Sequence, residues 1–231
     1  MCMAAIVIAF SISGCMKSSM PEPTPARTYV SIMHLAPTAP AIDVFFNDTK
    51  VSSNAFVPGA VSGAYNPVEK GDFSIRLKKA GGDSLVAAVP VLRYDSLHFY
   101  TIVVFNLQAN GPAQAVRIED KFNNLTSGKS YYRFFHGSPD LGPVDLYADN
   151  VKLQNGRGMA DNTTQEALNT FGEINQGSHN FQVKLAGTDS VLVSRSFVDF
   201  AAGNAYTIYM RGLPGGTGTN QLSLEILRAA N

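Results

Sequence analysis

Two histidine–aspartate spacings are the first places to look for chemistry in this chain. His34 precedes Asp43 by nine residues, and His136 precedes Asp145 by the same interval. Histidine titrates near neutral pH, and a carboxylate beside it orients the ring and stabilises its cation. Such a pair serves acid–base catalysis or contributes ligands to a metal. Ser138 adds a hydroxyl two residues beyond His136, so His136, Ser138 and Asp145 would make a hydrolase if they converged. In the first spacing Ala36 stands where Ser138 stands. A decayed catalytic set would lose its His and Asp along with its Ser. Retention of His, Pro and Asp without Ser fits packing. We therefore expect His34, Asp43, His136 and Asp145 to be structural pairs that pin the loop between two strands, with no catalytic residue.

Other chemistries find little support. A zinc site needs three or four clustered ligands. Beyond the paired histidines there are only His98 and His179, which align with Asn204 and Phe73, so no ligand set repeats. The glycines of Leu213 to Gly218 are not followed by a helix start, which a phosphate loop requires. No calcium-loop spacing of acidic residues occurs. We expect neither metal nor cofactor. Lys plus Arg and Asp plus Glu balance at 18 each, so nothing suggests a nucleic-acid partner.

The N-terminus carries an address. Ala4 to Ile12 is an apolar run too short to span a bilayer, which takes about 20 residues. It is followed by Ser13, Gly14 and Cys15. Ile12-Ser13-Gly14-Cys15 resembles the lipobox of bacterial lipoproteins, in which the cysteine thiol takes a diacylglycerol and the chain is cut just before it. Met1 to Met3 supply no Lys or Arg for the leading segment, and a true start upstream of Met1 would explain that. The reading gives a signal peptide over 1–14, lipid attachment at Cys15 and a Pro-rich tether over 15–27. The cell envelope follows as the location, with the outer membrane favoured and its face open. The other cysteine, Cys2, would leave with the signal, so the mature chain would hold no free thiol and no disulfide.

An internal repeat organises the rest. Tyr29 to His34 recurs as Tyr131 to His136; Pro37, Asp43 and Lys50 recur as Pro139, Asp145 and Lys152. Four residues then enter the second copy. Beyond them Tyr65, Val68 and Gly71 match Phe171, Ile174 and Gly177, and Tyr100-Thr101-Ile102 matches Tyr206-Thr207-Ile208. The boundaries are 28–124 and 127–231, each of a length that folds as a domain. Phe73, Ile75 and Leu77 alternate with polar residues, the pattern of a strand with one buried face. Asn47-Asp48 and Asp149-Asn150 read as tight hairpin turns, because both residue types tolerate left-handed geometry. Phe99 to Phe105 and Tyr206 to Met210 read as buried strands, and Thr163 to Leu168 is the one helix candidate. The fold class is all-β: two tandem immunoglobulin-like β-sandwich domains.

The His-x-x-Pro element with Asp43-Val44, repeated at His136, Ser138, Pro139, Asp145 and Leu146, resembles the domain of unknown function 4397 family. Tyr65, Val68 and Gly71 fit its later element, as do Phe171, Ile174 and Gly177. The resemblance runs over about 28–230, departing at Ala36 and Thr38. It implies a secreted or lipid-anchored β-sandwich protein of Bacteroidota type, with no established activity. The expected function is a non-enzymatic adhesion, scaffold or ligand-presenting lipoprotein with an envelope protein or glycan as partner. A rival is a glycan-binding lipoprotein of a polysaccharide uptake system, which needs an exposed aromatic platform such as Tyr131, Tyr132 or Tyr147. The His136, Ser138 and Asp145 hydrolase is the other. Ser84, Ser96 and Ser190 lie in Asp-Ser-apolar triplets that resemble periplasmic O-glycosylation sites and equally suit turn chemistry.

Overall fold

The computed structural model describes residues 26–122 and 124–230. The expected signal segment, Cys15 and nearly all of the expected tether lie outside the described residues.

The alternating segments form strands. The first copy contains β1 (Arg27–His34), β2 (Ile42–Phe46), β3 (Thr49–Lys50), β4 (Asn66–Glu69), β5 (Gly71–Lys79), β6 (Leu85–Tyr94), β7 (Phe99–Asn106) and β8 (Ala113–Asp120). The second contains β9 (Ser130–Gly137), β10 (Val144–Ala148), β11 (Val151–Arg157), β12 (Gly172–Ile174), β13 (Gly177–Leu185), β14 (Val191–Phe200), β15 (Ala205–Arg211) and β16 (Ser223–Ala230). Each copy is a sandwich of two four-stranded sheets. The orders are β4-β1-β7-β8 over β3-β2-β5-β6, then β12-β9-β15-β16 over β11-β10-β13-β14. The repeat is thus exact at the level of topology. In each copy the first strand runs parallel to the seventh, β1 beside β7 and β9 beside β15.

The expected turns form. Asn47, Asp149 and Asn150 take positive φ of 50°, 50° and 67° in the short hairpins that join β2 to β3 and β10 to β11. The helix candidate becomes two single turns, α1 (Asp161–Thr164) and a 3-10 turn at Glu166–Asn169. The four residues added to the second copy help to form this loop.

Strand parity explains the layering. Val30, Ile32, Tyr100, Ile102 and Val104 point into the first sandwich, where they meet Ile42, Val44, Ile75 and Leu77. The alternate residues of the same strands, Met33, Val103 and Phe105, point the other way. With Leu35 and Ile118 they pack on Phe135 and Tyr209 of the second copy in a third core. The sheets β4-β1-β7-β8 and β12-β9-β15-β16 therefore lie face to face, and the molecule is a four-layer stack. Both faces of β7 and β9 are covered, which is why their sequences are almost continuously apolar rather than alternating.

An ion pair lies in this seam. Arg133 on β9 is fully buried and makes an ion pair with Asp120 at the end of β8, also fully buried. Its Nε donates to Thr207 Oγ1 at 2.9 Å and its other terminal nitrogen to Thr101 Oγ1 at 3.2 Å. Thr101 and Thr207 are repeat counterparts, so the guanidinium sits where the two copies meet. Asp120 also accepts the hydroxyls of Tyr65 and Thr101, at 2.6 and 2.5 Å. The Phe135 and Phe171 rings cover the guanidinium at 4.7 and 4.6 Å. Burial and the Asp120 charge push the Tyr65 hydroxyl far above its usual range, so it serves as a donor.

Candidate functional site

The histidines and aspartates singled out from sequence are buried, but they do not form pairs. His34 has the parity of Val30 and Ile32 and points into the first sandwich. Asp43 lies between Ile42 and Val44, which face that core, so its carboxylate emerges on the far side of the other sheet. The second copy repeats this with Phe134 before His136 and with Val144 and Leu146 around Asp145. The expected His–Asp hydrogen bond is corrected to two separate pins, the His inside the sandwich on one sheet and the Asp on the outer face of the other.

Each pin holds a different loop. His34 Nε2 lies 3.1 Å from the Pro40 carbonyl, and His136 Nε2 lies 3.2 Å from that of Gly142. His136 Nδ1 accepts the Ser138 N–H at 3.3 Å, which assigns the proton to Nε2. Burial lowers the pKa of both rings, the carbonyl contacts opposing it only in part. Asp43 takes Lys50 at 2.8 Å and the Gly81 N–H at 3.1 Å. Asp145 takes Lys152 and the Gly156 N–H, each at 2.7 Å, and the Gly187 N–H at 3.5 Å. The recurrence of Lys50 as Lys152 and of Gly81 as Gly187 is thereby explained. Lys50 and the Gly81 amide hold Asp43 below the usual carboxylate range. For Asp145 burial pushes upward, and Lys152 and the two amides outweigh it.

The geometry does not assemble the hydrolase set. Ser138 Oγ is buried without a partner, His136 Nε2 faces Gly142, and Asp145 is held by Lys152 on the other side of its sheet. Nor do the tyrosines make a platform. Tyr131 and Tyr132 are buried, with hydroxyls at Thr126 and at the Leu153 carbonyl. Tyr147 is half-buried, and Lys152 and Lys184 stand over its ring at 5.6 and 4.6 Å. Ser84 and Ser190 are exposed on the turns after β5 and β13, while Ser96 is half-buried.

The histidine that does meet a carboxylate is His179, set aside in the sequence because its counterpart is Phe73. Its Nδ1 lies 2.6 Å from Asp149 Oδ2 and its Nε2 2.8 Å from the Asn175 carbonyl. The Asn180 N–H and then His179 hold the Asp149 carboxyl below its usual range. These residues border a cleft of about 370 Å³ with Lys129, Val151, Leu153 and Glu173. The available signal was paired divergence: Asn47 and Phe73 in the first copy become Asp149 and His179 in the second.

A second cleft, of about 360 Å³, opens at the seam between the copies. Its floor is β8, from Val116 to Glu119 with Lys121 beyond. Its far wall is the loop that carries Asn162 to Thr164, Glu166, Asn169 and Thr170. That wall is internally braced. Asp161 accepts from Arg157 Nε at 3.2 Å and from the Gly158 N–H at 2.8 Å. Asn162 donates to Asn169 Oδ1 at 2.8 Å, and Asn169 returns a bond to the Asn162 carbonyl at 3.0 Å. Lys121 and Glu166 face each other across the mouth at 3.4 Å. Amides, hydroxyls and both signs of charge line this cleft.

A search of curated proteins returned no match to the chain. The model of the family described as "Domain of unknown function (DUF4397)" matches twice, over 28–147 and over 130–225. The second match begins at β9, the first strand of the second copy, and the two overlap over 130–147. Together they span both sandwiches, and the chain belongs to this family.

Proposed function

We propose that this protein is a non-enzymatic lipoprotein of the cell envelope, anchored through Cys15 in the outer membrane, that holds a ligand at the seam of its two sandwiches. The observation that carries the reading is the seam itself. A buried ion pair and a shared core join the copies, and the cleft beside them has a braced wall and a polar lining. A rigid cleft loses little conformational entropy when it binds. The apolar run before Cys15 and the prolines after it support a lipid anchor and a spacer.

Expression of the full chain in a Gram-negative host tests the anchor. Intact mass is expected to give a chain that begins at Cys15 and carries acyl chains, with partition into detergent that Cys15→Ala abolishes. An unacylated product that keeps residues 1–14 overturns the anchor. The binding half is tested by retention of envelope-derived peptide and oligosaccharide pools on the full chain. Retention is expected to fall at least tenfold in Thr164→Trp, which places a ring in the cleft. Equal retention by both proteins overturns it.

A further inference from the structure

We propose that the seam cleft takes an extended polypeptide segment, which adds as a fifth strand to the free edge of β8. This rests on the reading of the cleft as the ligand site and names the ligand's class.

Four observations meet there. First, β8 ends its sheet: β7 pairs with it on one side, and among the described residues no backbone group of another segment bonds its other edge. Second, the cleft runs along that edge rather than over a face. Successive side chains of a strand point to opposite faces. A cleft over one face would be lined by alternate residues, yet Val116, Arg117, Ile118 and Glu119 line this one consecutively.

Third, β8 lacks the proline, the bulge and the shortness that blunt the other edges, although it carries Arg117, Glu119 and Asp120 and a loop faces it. β6 has Pro90 and a bulge, and β14 has a bulge. β4 has Pro67 within four residues, and β3 and β12 have only two and three residues. β16, the counterpart of β8, meets β15 through a register shift. β8 pairs with β7 in unbroken register over eight residues and contains neither Pro nor Gly. Fourth, the opposite wall limits what can enter. The loop from Asn162 to Thr170 stands across the edge, so a second copy of this sheet cannot approach in plane. A single strand, about 4.8 Å from its neighbour, needs only a slot.

The lining also sets the character of the segment. The cleft continues the seam core through Val116 and Ile118, so the segment's inward side chains are small and apolar. Arg117 and Lys121 are balanced by Glu119 and Glu166, so the segment carries little net charge. Among the described residues no aromatic ring lines the cleft, which favours peptide over sugar. Four residues of edge span about 13 Å. The remaining recognition is backbone to backbone and tolerant of sequence, as in strand addition generally.

The test pans a random twelve-residue peptide display library on the full chain in detergent and synthesises the enriched peptide. Its binding is expected to slow amide exchange across Val116 to Lys121. N-methylation of alternate peptide residues is expected to weaken binding at least tenfold in one register and to be tolerated in the other, because only one edge of the added strand meets β8. Thr164→Trp is expected to cost at least tenfold, with Thr170→Trp as the second variant should the first lower the melting temperature. Failure to enrich any peptide, or tolerance of N-methylation in both registers, overturns strand addition. If an oligosaccharide binds instead and Thr164→Trp abolishes it, the cleft remains the ligand site and the strand is wrong. If no bound ligand responds to either variant, the cleft reading falls as well.

Discussion

Arg133 of the second copy and Asp120 of the first form an ion pair that solvent does not reach. The repeat counterpart of Arg133 is Ser31, so the pair has no symmetric mate. A buried pair repays its desolvation only when its remaining bonds are satisfied. Here two threonines, a tyrosine and two aromatic rings complete the shell. Arg133→Met leaves Asp120 charged in the seam and is expected to cost about 3–5 kcal/mol. Adding Asp120→Leu to Arg133→Met removes the stranded charge and is expected to recover most of that loss. Urea unfolding of the single and double variants measures both. Additive losses would show that the two side chains do not act as a unit.

The shared core changes what to expect of the halves. The repeat alone suggests two domains that fold separately. Residues 28–124 expressed alone would expose Met33, Leu35, Val103 and Phe105 on one sheet face. Contiguous apolar faces of that kind drive association. The half is expected to give a β-type circular dichroism spectrum and to run as a dimer or larger species in light scattering. Mixing with residues 127–231 is expected to return a single 1:1 complex. A monomeric, stable first half would show that the seam contributes little.

Much of this architecture was legible in the residues. Alternation in Phe73 to Leu77 marks a half-buried strand, and the left-handed tolerance of Asn47 and Asp149 marks the hairpin turns. The seam was legible too, but only in hindsight of parity. Phe99 to Phe105 and Tyr131 to Phe135 are apolar on both faces, which a one-sided sandwich does not require. Arg133 inside such a run demands a buried partner. The parallel pairing of β1 with β7 left no local mark, because it joins segments about seventy residues apart. The His–Asp spacing misled for a simple reason. Equal spacing in two copies records equal topology, and it does not place two side chains on the same face.

Acid is expected to find the two buried histidines first. Burial holds His34 and His136 below the ordinary value of 6.5. Below 6.5 the unfolded chain takes up protons that the folded chain refuses. Stability is therefore full above that pH and falls as pH drops through it toward the folded values. Two such groups give a slope of at most about 2.7 kcal/mol per pH unit. Asp43 and Asp145, with lowered carboxyls, add a separate loss only below about pH 4. Unfolding free energies from pH 7.5 to 5 measure the effect, and the double variant His34→Gln with His136→Gln is expected to flatten it. An unchanged slope in that variant assigns the protons elsewhere.

Phe197 gives the last prediction, and its sign runs against the usual cost of losing an aromatic residue. It sits in the bulge of β14 with φ of 57°, and 82% of it is exposed. A bulky side chain in left-handed backbone costs about 1–2 kcal/mol, and one type of bulge places glycine at such a position for that reason. The exposed ring recovers little by burial. The backbone is held in place by a relay: the Phe197 N–H donates to Asn180 Oδ1 at 3.2 Å, and the Asn180 N–H donates to Asp149 Oδ1 at 2.9 Å. Val91, the counterpart in the first copy, is also exposed at a bulge but takes no positive φ. Phe197→Gly removes the strain, and the added freedom of the unfolded chain offsets part of the gain. The net effect is expected to be a stabilisation of about 0.5–1 kcal/mol, read as a higher urea midpoint at unchanged slope. A loss of stability would mean that the ring makes a contact in solution that outweighs its strain. If the variant is stabilised but the full chain no longer retains an envelope ligand, the strain is held for binding rather than for folding.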